Sequence, residues 1–249
     1  MKPVAVIIPI YKASMSAHEL ISFQQCLKAL RSHPIFLVKP HSLNLNSLLA
    51  THSQLQVESF DDLYFQSISG YNKLLCSELF YERFLAYEYI LISQLDVFIF
   101  RDDLLDWCQR GYDYVGAPQF SNIRAPDRME PKTLREKVSL PFQKPLLNGG
   151  MSLRRVKGCL RLLRIYHTFF GTWHGNEDSF FSLHYPRFSP FRPLMHLPSP
   201  HEALKFAVEM QPRLSLQLNG NKLPMGCHAW DVYDLDFWRP IFKEYGYTV

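Results

Sequence analysis

The sequence predicts an α/β fold in which a mixed, mostly parallel central sheet is flanked by helices, and three observations carry this reading. Residues 89–100, YILISQLDVFIF, form an apolar run interrupted at its middle by Gln94, Leu95 and Asp96. Such a run reads as a strand buried on both faces, as the strands of parallel sheets are. Residues 4–10 and 34–38 are two more apolar runs, and between them residues 17–31 space Leu20, Ile21, Cys26, Leu27 and Leu30 along one helical face. That makes a strand–helix–strand unit, the repeating element of this class. The 249 residues, 47% of them hydrophobic, suffice for one sizeable core. No linker-like run of Gly, Ser or Pro divides the chain, which predicts a single domain over residues 1–249.

Along the chain, Pro9 should end the first strand, because proline cannot donate to a ladder. Residues 56–60 read as a short third strand. Residues 71–87 read as one helix, with Leu74, Leu75, Leu79, Phe80, Phe84 and Leu85 at helical spacing, delivering the chain into the run at 89–100. Residues 103–109 are a short helix, 112–116 a short strand and 118–145 a long loop rich in Pro, Arg and Lys. A loop of that length in a compact domain is either functional or disordered. Residues 146–153 place Gly149 and Gly150 inside a strand-like segment, which fits close approach of the backbone to a ligand, a bulge or a plain turn. Residues 154–170 form a basic amphipathic helix, with Val156, Leu160, Leu163 and Ile165 inward and Arg155, Lys157, Arg161 and Arg164 outward. That outer face reads as solvated, with membrane-surface or phosphate contact as the other reading. Residues 175–181 open a further helix at Glu177-Asp178, where the helix dipole alone favours acids. Residues 198–210 are helical, and an aromatic segment runs to Val249.

The formal net charge of +4 suits phosphorylated ligands or an anionic membrane surface and is too small to indicate nucleic acid. Cys26, Cys76, Cys108, Cys159 and Cys227 are scattered, odd in number and without a CxxC pair, which indicates a reducing, cytoplasmic setting and argues against zinc. No apolar run reaches membrane length, and residues 4–10 are too few for a signal-peptide core. The expectation is a soluble protein whose membrane contact, if any, is peripheral. Asp96 is costly at the end of a buried strand unless something binds it, and sheets of this kind bind ligands beyond the carboxyl ends of their strands. A cation or ligand is therefore expected there.

The order of these segments resembles a known pattern. Gln94-Leu95-Asp96-Val97-Phe98, Asp113-Tyr114-Val115-Gly116-Ala117-Pro118, Asn148-Gly149-Gly150-Met151-Ser152-Leu153-Arg154 and Glu177-Asp178, followed by the late Gly226-Cys227-His228, resemble the DUF5672 domain and, more broadly, glycosyltransferases of the GT-A fold, a Rossmann-type sheet. The likeness covers about residues 4–230. Each string is short, and their order is the signal.

The resemblance implies a nucleotide-sugar donor, UDP-linked, a glycan or lipid-linked glycan acceptor and Mn²⁺ or Mg²⁺ as cofactor. Enzymes of this fold carry Asp-x-Asp after a central strand, with the second acid on the metal. Here Gln94 replaces the first acid and Asp96 keeps the second, with His228 as the further metal ligand. Gln94 can still hydrogen-bond a ribose hydroxyl through its amide. The Glu-Asp pair of inverting members corresponds to Glu177, which would orient the acceptor, and Asp178, which would take its proton. Pro9, Ile10 and Tyr11 form the expected floor for the base, and Lys73 is placed to reach a phosphate. Gly149 and Gly150 would let the backbone approach the donor sugar, with Asn148 and Ser152 bonding to it. The loop at 119–144, with Arg124, Arg128, Lys132, Arg135 and Lys137, would cover the donor. The implied role is inverting sugar transfer in bacterial surface polysaccharide or lipopolysaccharide assembly, with a retaining outcome still open. Two other readings stand beside it: a sugar nucleotidyltransferase, disfavoured because Tyr11-Lys12-Ala13-Ser14-Met15-Ser16 lacks glycines, and a non-catalytic binding module, to which the missing first acid points.

Overall fold

The computed structural model describes residues 1–119, 146–184 and 194–249. Among these residues a six-stranded sheet has the order β3-β2-β1-β4-β7-β6. Strand β1 (Lys2–Pro9) lies inside it, pairing in parallel with β2 (Ile35–Pro40) and β4 (Tyr87–Ser93). Strand β3 (Gln56–Phe60) extends the parallel half, while β7 (Leu147–Arg155) and β6 (Tyr114–Pro118) add an antiparallel half beside β4. The class read from the sequence is the one observed.

Successive residues of β1 and β4 point to opposite faces, and each face has its own core. Ala5, Ile7, Ile90 and Ile92 join one cluster; Val4, Val6, Ile8, Tyr89 and Leu91 join the other. On the first face pack α3 (Ile68–Leu75), α4 (Glu78–Glu82) and α6 (Val156–Phe170), through Leu74, Phe80 and Leu163. On the second pack α1 (Ala17–Ala29) and α5 (Leu104–Gln109), through Phe23, Cys26 and Trp107. Helix α1 starts at a capping box in which Ser16 and Glu19 satisfy each other's backbone N–H. Between β2 and β3 lies the short α2 (Asn46–Thr51).

Several elements depart from the periodicity. The helix expected over 71–87 is two helices, because Ser77 accepts a hydrogen bond from Phe80 N (3.2 Å) and caps a new start. Its last residue, Tyr87, begins β4. The run at 89–100 divides: β4 stops at Ser93, residues 94–96 turn, and β5 (Val97–Ile99) joins a second sheet of order β5-β9-β8. The helix expected at 175–181 is a single short turn, α7 (Glu177–Ser179), running into π geometry at Phe180–His184. Helix α8 (Pro200–Phe206), capped by Ser199, gives way to β8 (Ala207–Val208) before the expected helical end. In α6, Val156, Leu160 and Leu163 are buried as expected and Ile165 is half-buried. Arg154, placed by pattern at the start of that helix, instead lies in β7 and is fully buried.

A third cluster covers the small sheet. Phe98 and Phe100 pack against Trp230 and, on α9 (Leu235–Glu244), Trp238 and Phe242. Phe98 stacks on Phe242 with ring centroids 3.9 Å apart. Phe98→Ala should therefore cost about 3–5 kcal/mol in denaturant unfolding, whereas Leu63→Ala, on a residue 67% exposed, should change stability by less than about 0.5 kcal/mol.

Candidate active site

Strands β1 and β4 end side by side, and beyond their carboxyl ends opens a cleft of about 700 Å³. Pro9, Tyr11 and Lys12 line it from one strand end, Gln94, Leu95 and Asp96 from the other, and Ile68 and Tyr71 of α3 from the side. The turn at 94–96 is held by Gln94 N donating to Gly150 O (3.0 Å) and Val97 N donating to Gln94 O (3.1 Å). Asp96 is thereby fixed at the cleft floor.

The small sheet brings the remaining groups together. Its central strand, β9 (Gly226–His228), pairs antiparallel with β5, aligning Val97 with His228, and parallel with β8, aligning Val208 with Cys227. Asp96 precedes Val97 and Glu209 follows Val208, so both carboxylates arrive at the His228 ring. His228 Nε2 is 3.3 Å from Asp96 Oδ1, and Nδ1 is 3.3 Å from Glu209 Oε1. Neither contact is directed as a hydrogen bond, so both ring nitrogens and Asp96 Oδ1 are buried without hydrogen-bond partners, as is Glu209 Oε2. Burial opposes the imidazolium, but the two facing carboxylates outweigh it and raise the His228 pKa to about 9. Burial also pushes Asp96 upward, and His228 more than offsets it, leaving that carboxyl below its ordinary range.

Beneath these groups lies a buried ion pair. Arg154 is fully enclosed; it donates from Nη2 to Glu177 Oε1 (3.0 Å), from Nη1 to the Tyr81 hydroxyl (3.2 Å) and from Nε to Ser152 Oγ (2.9 Å). Asn72 Oδ1 accepts from Glu177 N (3.0 Å), tying α7 to α3. Burial raises the Glu177 pKa, opposed by Arg154. The next residue, Asp178, is partly exposed and accepts from Ser179 N (2.6 Å). Burial raises its pKa, the hydrogen bonds from Ser179 oppose the rise, and the charge of Glu209 adds to it.

Several expected contacts take another form. Ile10 is completely buried in the core, so its side chain offers nothing to a base, whereas Pro9 and Tyr11 do line the cleft. Lys73 is exposed on the side of α3 away from Ile68 and Tyr71, because two residues beyond Tyr71 a helix has turned through about 200°. Glu177 is turned inward to Arg154 rather than toward an acceptor. Ser152 Oγ donates to Gly149 O (2.8 Å) inside the protein. A β-carbon on Gly150 would overlap His228 Nε2, and one on Gly149 would overlap Glu177 Oε1. The glycine pair thus makes room for protein side chains. Asn148 is half-buried, its Oδ1 accepting from Gly150 N (2.7 Å) and its Nδ2 donating to Glu209 Oε1 (3.1 Å). The expected covering loop falls at 120–144, outside the described residues, apart from Gln119.

Sequence reasoning missed Glu209, Tyr71 and Asn72, and passed over Arg154 as a site residue. Arg154 carried a signal, a charge beside a strand-like segment; Glu209 is an isolated acid with none. Among the described residues no three His, Cys, Asp or Glu side chains form a group that could hold a metal ion, and no helix is long and apolar enough to cross a membrane.

Residues 54–228 match the family described as "Protein of unknown function (DUF5672)". The chain belongs to the DUF5672 family. No curated protein matches this DUF5672 sequence. Among solved structures the chain is similar to the galactosyltransferase LgtC in complex with donor and acceptor sugar analogs, at 10% identity and a TM-score of 0.55 over 90% of this chain and 86% of that one. It is similar to the apo bifunctional glycosyltransferase WbbM, at 10% identity and 0.51 over 91% and 45%. It is also similar to the glycosyltransferase GlyE of Streptococcus pneumoniae TIGR4, at 11% identity and 0.51 over 100% and 61%. This chain therefore spans under half of WbbM and less than two thirds of GlyE. At such identities the likeness is one of fold: this DUF5672 protein has the GT-A glycosyltransferase fold.

The buried pair generates a stability prediction. Glu177→Ala should destabilise the protein by about 3–5 kcal/mol, because it leaves the Arg154 guanidinium buried and uncompensated. The joint replacement Arg154→Met/Glu177→Leu should cost less than Glu177→Ala alone, as read from urea unfolding midpoints.

Proposed function

We propose that the protein is a metal-dependent, inverting glycosyltransferase that moves a sugar from a UDP-linked donor to a hydroxyl of a glycan or lipid-linked glycan. The observation that carries this is that Asp96, which lines the cleft, turns its buried Oδ1 to His228 Nε2 behind it, 3.3 Å away, with neither atom in a hydrogen bond. Two adjacent ligands of an octahedral ion at about 2.1 Å would stand about 3 Å apart, so this separation fits a divalent cation. The residues present are two ligands, and donor oxygens and water would complete the shell. Among the described cleft residues Glu19, Asp96 and Asp231 face the single ammonium of Lys12, itself paired with Glu19 at 2.8 Å. A diphosphate entering that field needs a cation to offset the repulsion. The bound cation would act as a Lewis acid on the departing diphosphate.

The chain's own groups supply the rest. Pro9 and Tyr11 would take the base at the end of β1, and Gln94, beside the Tyr71 hydroxyl, would take the ribose. Asp178 would receive the acceptor proton, and its raised pKa makes it a stronger base than an ordinary aspartate. Glu177 would act through Arg154, fixing α7 and hence Asp178. Asn148 would shape the wall of the donor site through Glu209 and Gly150 through His228, while Gly149 makes room for Glu177. The proposed setting, bacterial surface polysaccharide or lipopolysaccharide assembly at the cytoplasmic face of the membrane, rests on the family resemblance.

Thermal shift against a panel of nucleotide sugars should show a donor-dependent stabilisation that requires Mn²⁺ and is lost in Asp96→Ala; at a hundredfold excess over Kd it amounts to about 2.7 kcal/mol. No shift with any donor would leave the non-catalytic reading in its place. Asp178→Asn should keep donor binding while transfer falls about 10²–10⁴-fold. The base must be unprotonated, so kcat/KM in the unaltered enzyme should fall as pH drops through a pKa above the ordinary aspartate value of 3.8. That limb should be absent from the residual activity of Asp178→Asn.

A further inference from the structure

We propose that Glu209 is a positioning residue, which holds the His228 ring with Nδ1 toward its own carboxylate and Nε2 toward Asp96. The proposal rests on the reading of Asp96 and His228 as ligands of a divalent cation. Glu209 is only 6% exposed, and among the described residues its ion-pair partner is His228. A carboxylate is not buried this far without a counter-charge or hydrogen bonds. Its Oε1 has two contacts, accepting from Asn148 Nδ2 at 3.1 Å and facing His228 Nδ1 at 3.3 Å. A carboxylate facing Nδ1 at 3.3 Å favours a hydrogen on that atom by its charge, so in the neutral ring the lone pair lies on Nε2, where a metal ligand needs it.

Beyond the ends of both strands the backbone turns left-handed. Gln211, two residues after Glu209, has φ +50°, and Ala229, directly after His228, has φ +49°. Left-handed conformations in residues with a β-carbon are strained and persist where the surrounding structure holds them. Here one lies close behind each member of the carboxylate–imidazole contact. Gly150, whose β-carbon would overlap Nε2, leaves the other side of the ring open for that placement. Glu209 thus links three chain segments, β7 through Asn148, β8 through its own backbone and β9 through His228.

The test is Mn²⁺ binding in the absence of turnover, read from the electron paramagnetic resonance signal of the free ion, with and without UDP. Glu209→Ala should weaken binding about 10–100-fold. Glu209→Gln, whose amide oxygen can still accept from Nδ1–H, should recover most of that loss. In a His228→Ala background, Glu209→Ala should cause no further weakening, since Glu209 acts through the ring. If Glu209→Ala does not fold, Glu209→Met keeps the buried volume and serves the same comparison. Wild-type affinity in the Ala or Met variant, or an undiminished effect in the His228→Ala background, would overturn the role of Glu209 alone. An unaltered protein that binds no Mn²⁺ in either condition overturns the metal reading and the proposal with it, a result separable from the others because it appears before any substitution.

Discussion

The Arg154–Glu177 pair is the interaction on which the rest of the site depends. It sits where the antiparallel half of the main sheet meets the short turn that carries Asp178, and both partners are almost wholly shut off from water. Charges in that position are tolerated only when their hydrogen bonds are met, and Arg154 meets its own with Glu177, Tyr81, Ser152 and Gly149 O (3.4 Å). The rings of Tyr114 and Phe181 lie beside the guanidinium, 5.1 and 5.7 Å from it. Such a pair adds little net stability over an apolar replacement, and what it contributes is position. It fixes the three-residue helix that a longer apolar face would otherwise have to hold.

The second constraint is the register of the small sheet. Asp96, Glu209 and His228 stand on three different strands or strand ends, 132 residues apart between first and last, and no local rule relates them. Pairing Val97 with His228 and Val208 with Cys227 decides that the two acids converge on one ring. A slip of one residue in either ladder would turn the side chains to the opposite face. Phe98 guards against that slip, since in the observed register its side chain is buried in the aromatic cluster with Phe100, Trp230, Trp238 and Phe242.

Much of the main sheet was legible because its inner strands are apolar on both faces. Residues 4–10, 34–38 and 56–60 lead to β1, β2 and β3 within a few residues, and Pro9 ends β1 as proline requires. The helix over 71–87 was misread because Ser77 fits a helical pattern as well as a cap, and only the packing of Phe80 and Tyr81 against the sheet decides between them. The division of residues 89–100 between two sheets was equally hidden: strand composition is the same on both sides of the turn. At the site, Asp96 stood out as a charge in an apolar run. Glu209 did not, because an acid near the end of an expected helix is ordinary until a histidine is set beside it.

The sequence by itself determined the α/β class, the strand ends at which a cleft opens, and the chemical types of the groups near it, because burial pattern and strand periodicity are local properties of the chain. The tertiary structure alone decided which of those groups meet. It turned Ile10 and Lys73 away from the cleft, spent Glu177 on Arg154, and used Gly149 and Gly150 to admit protein side chains. Each of these depends on distances between segments far apart in the chain, and such distances are set by core packing and sheet register, which no short stretch of residues encodes.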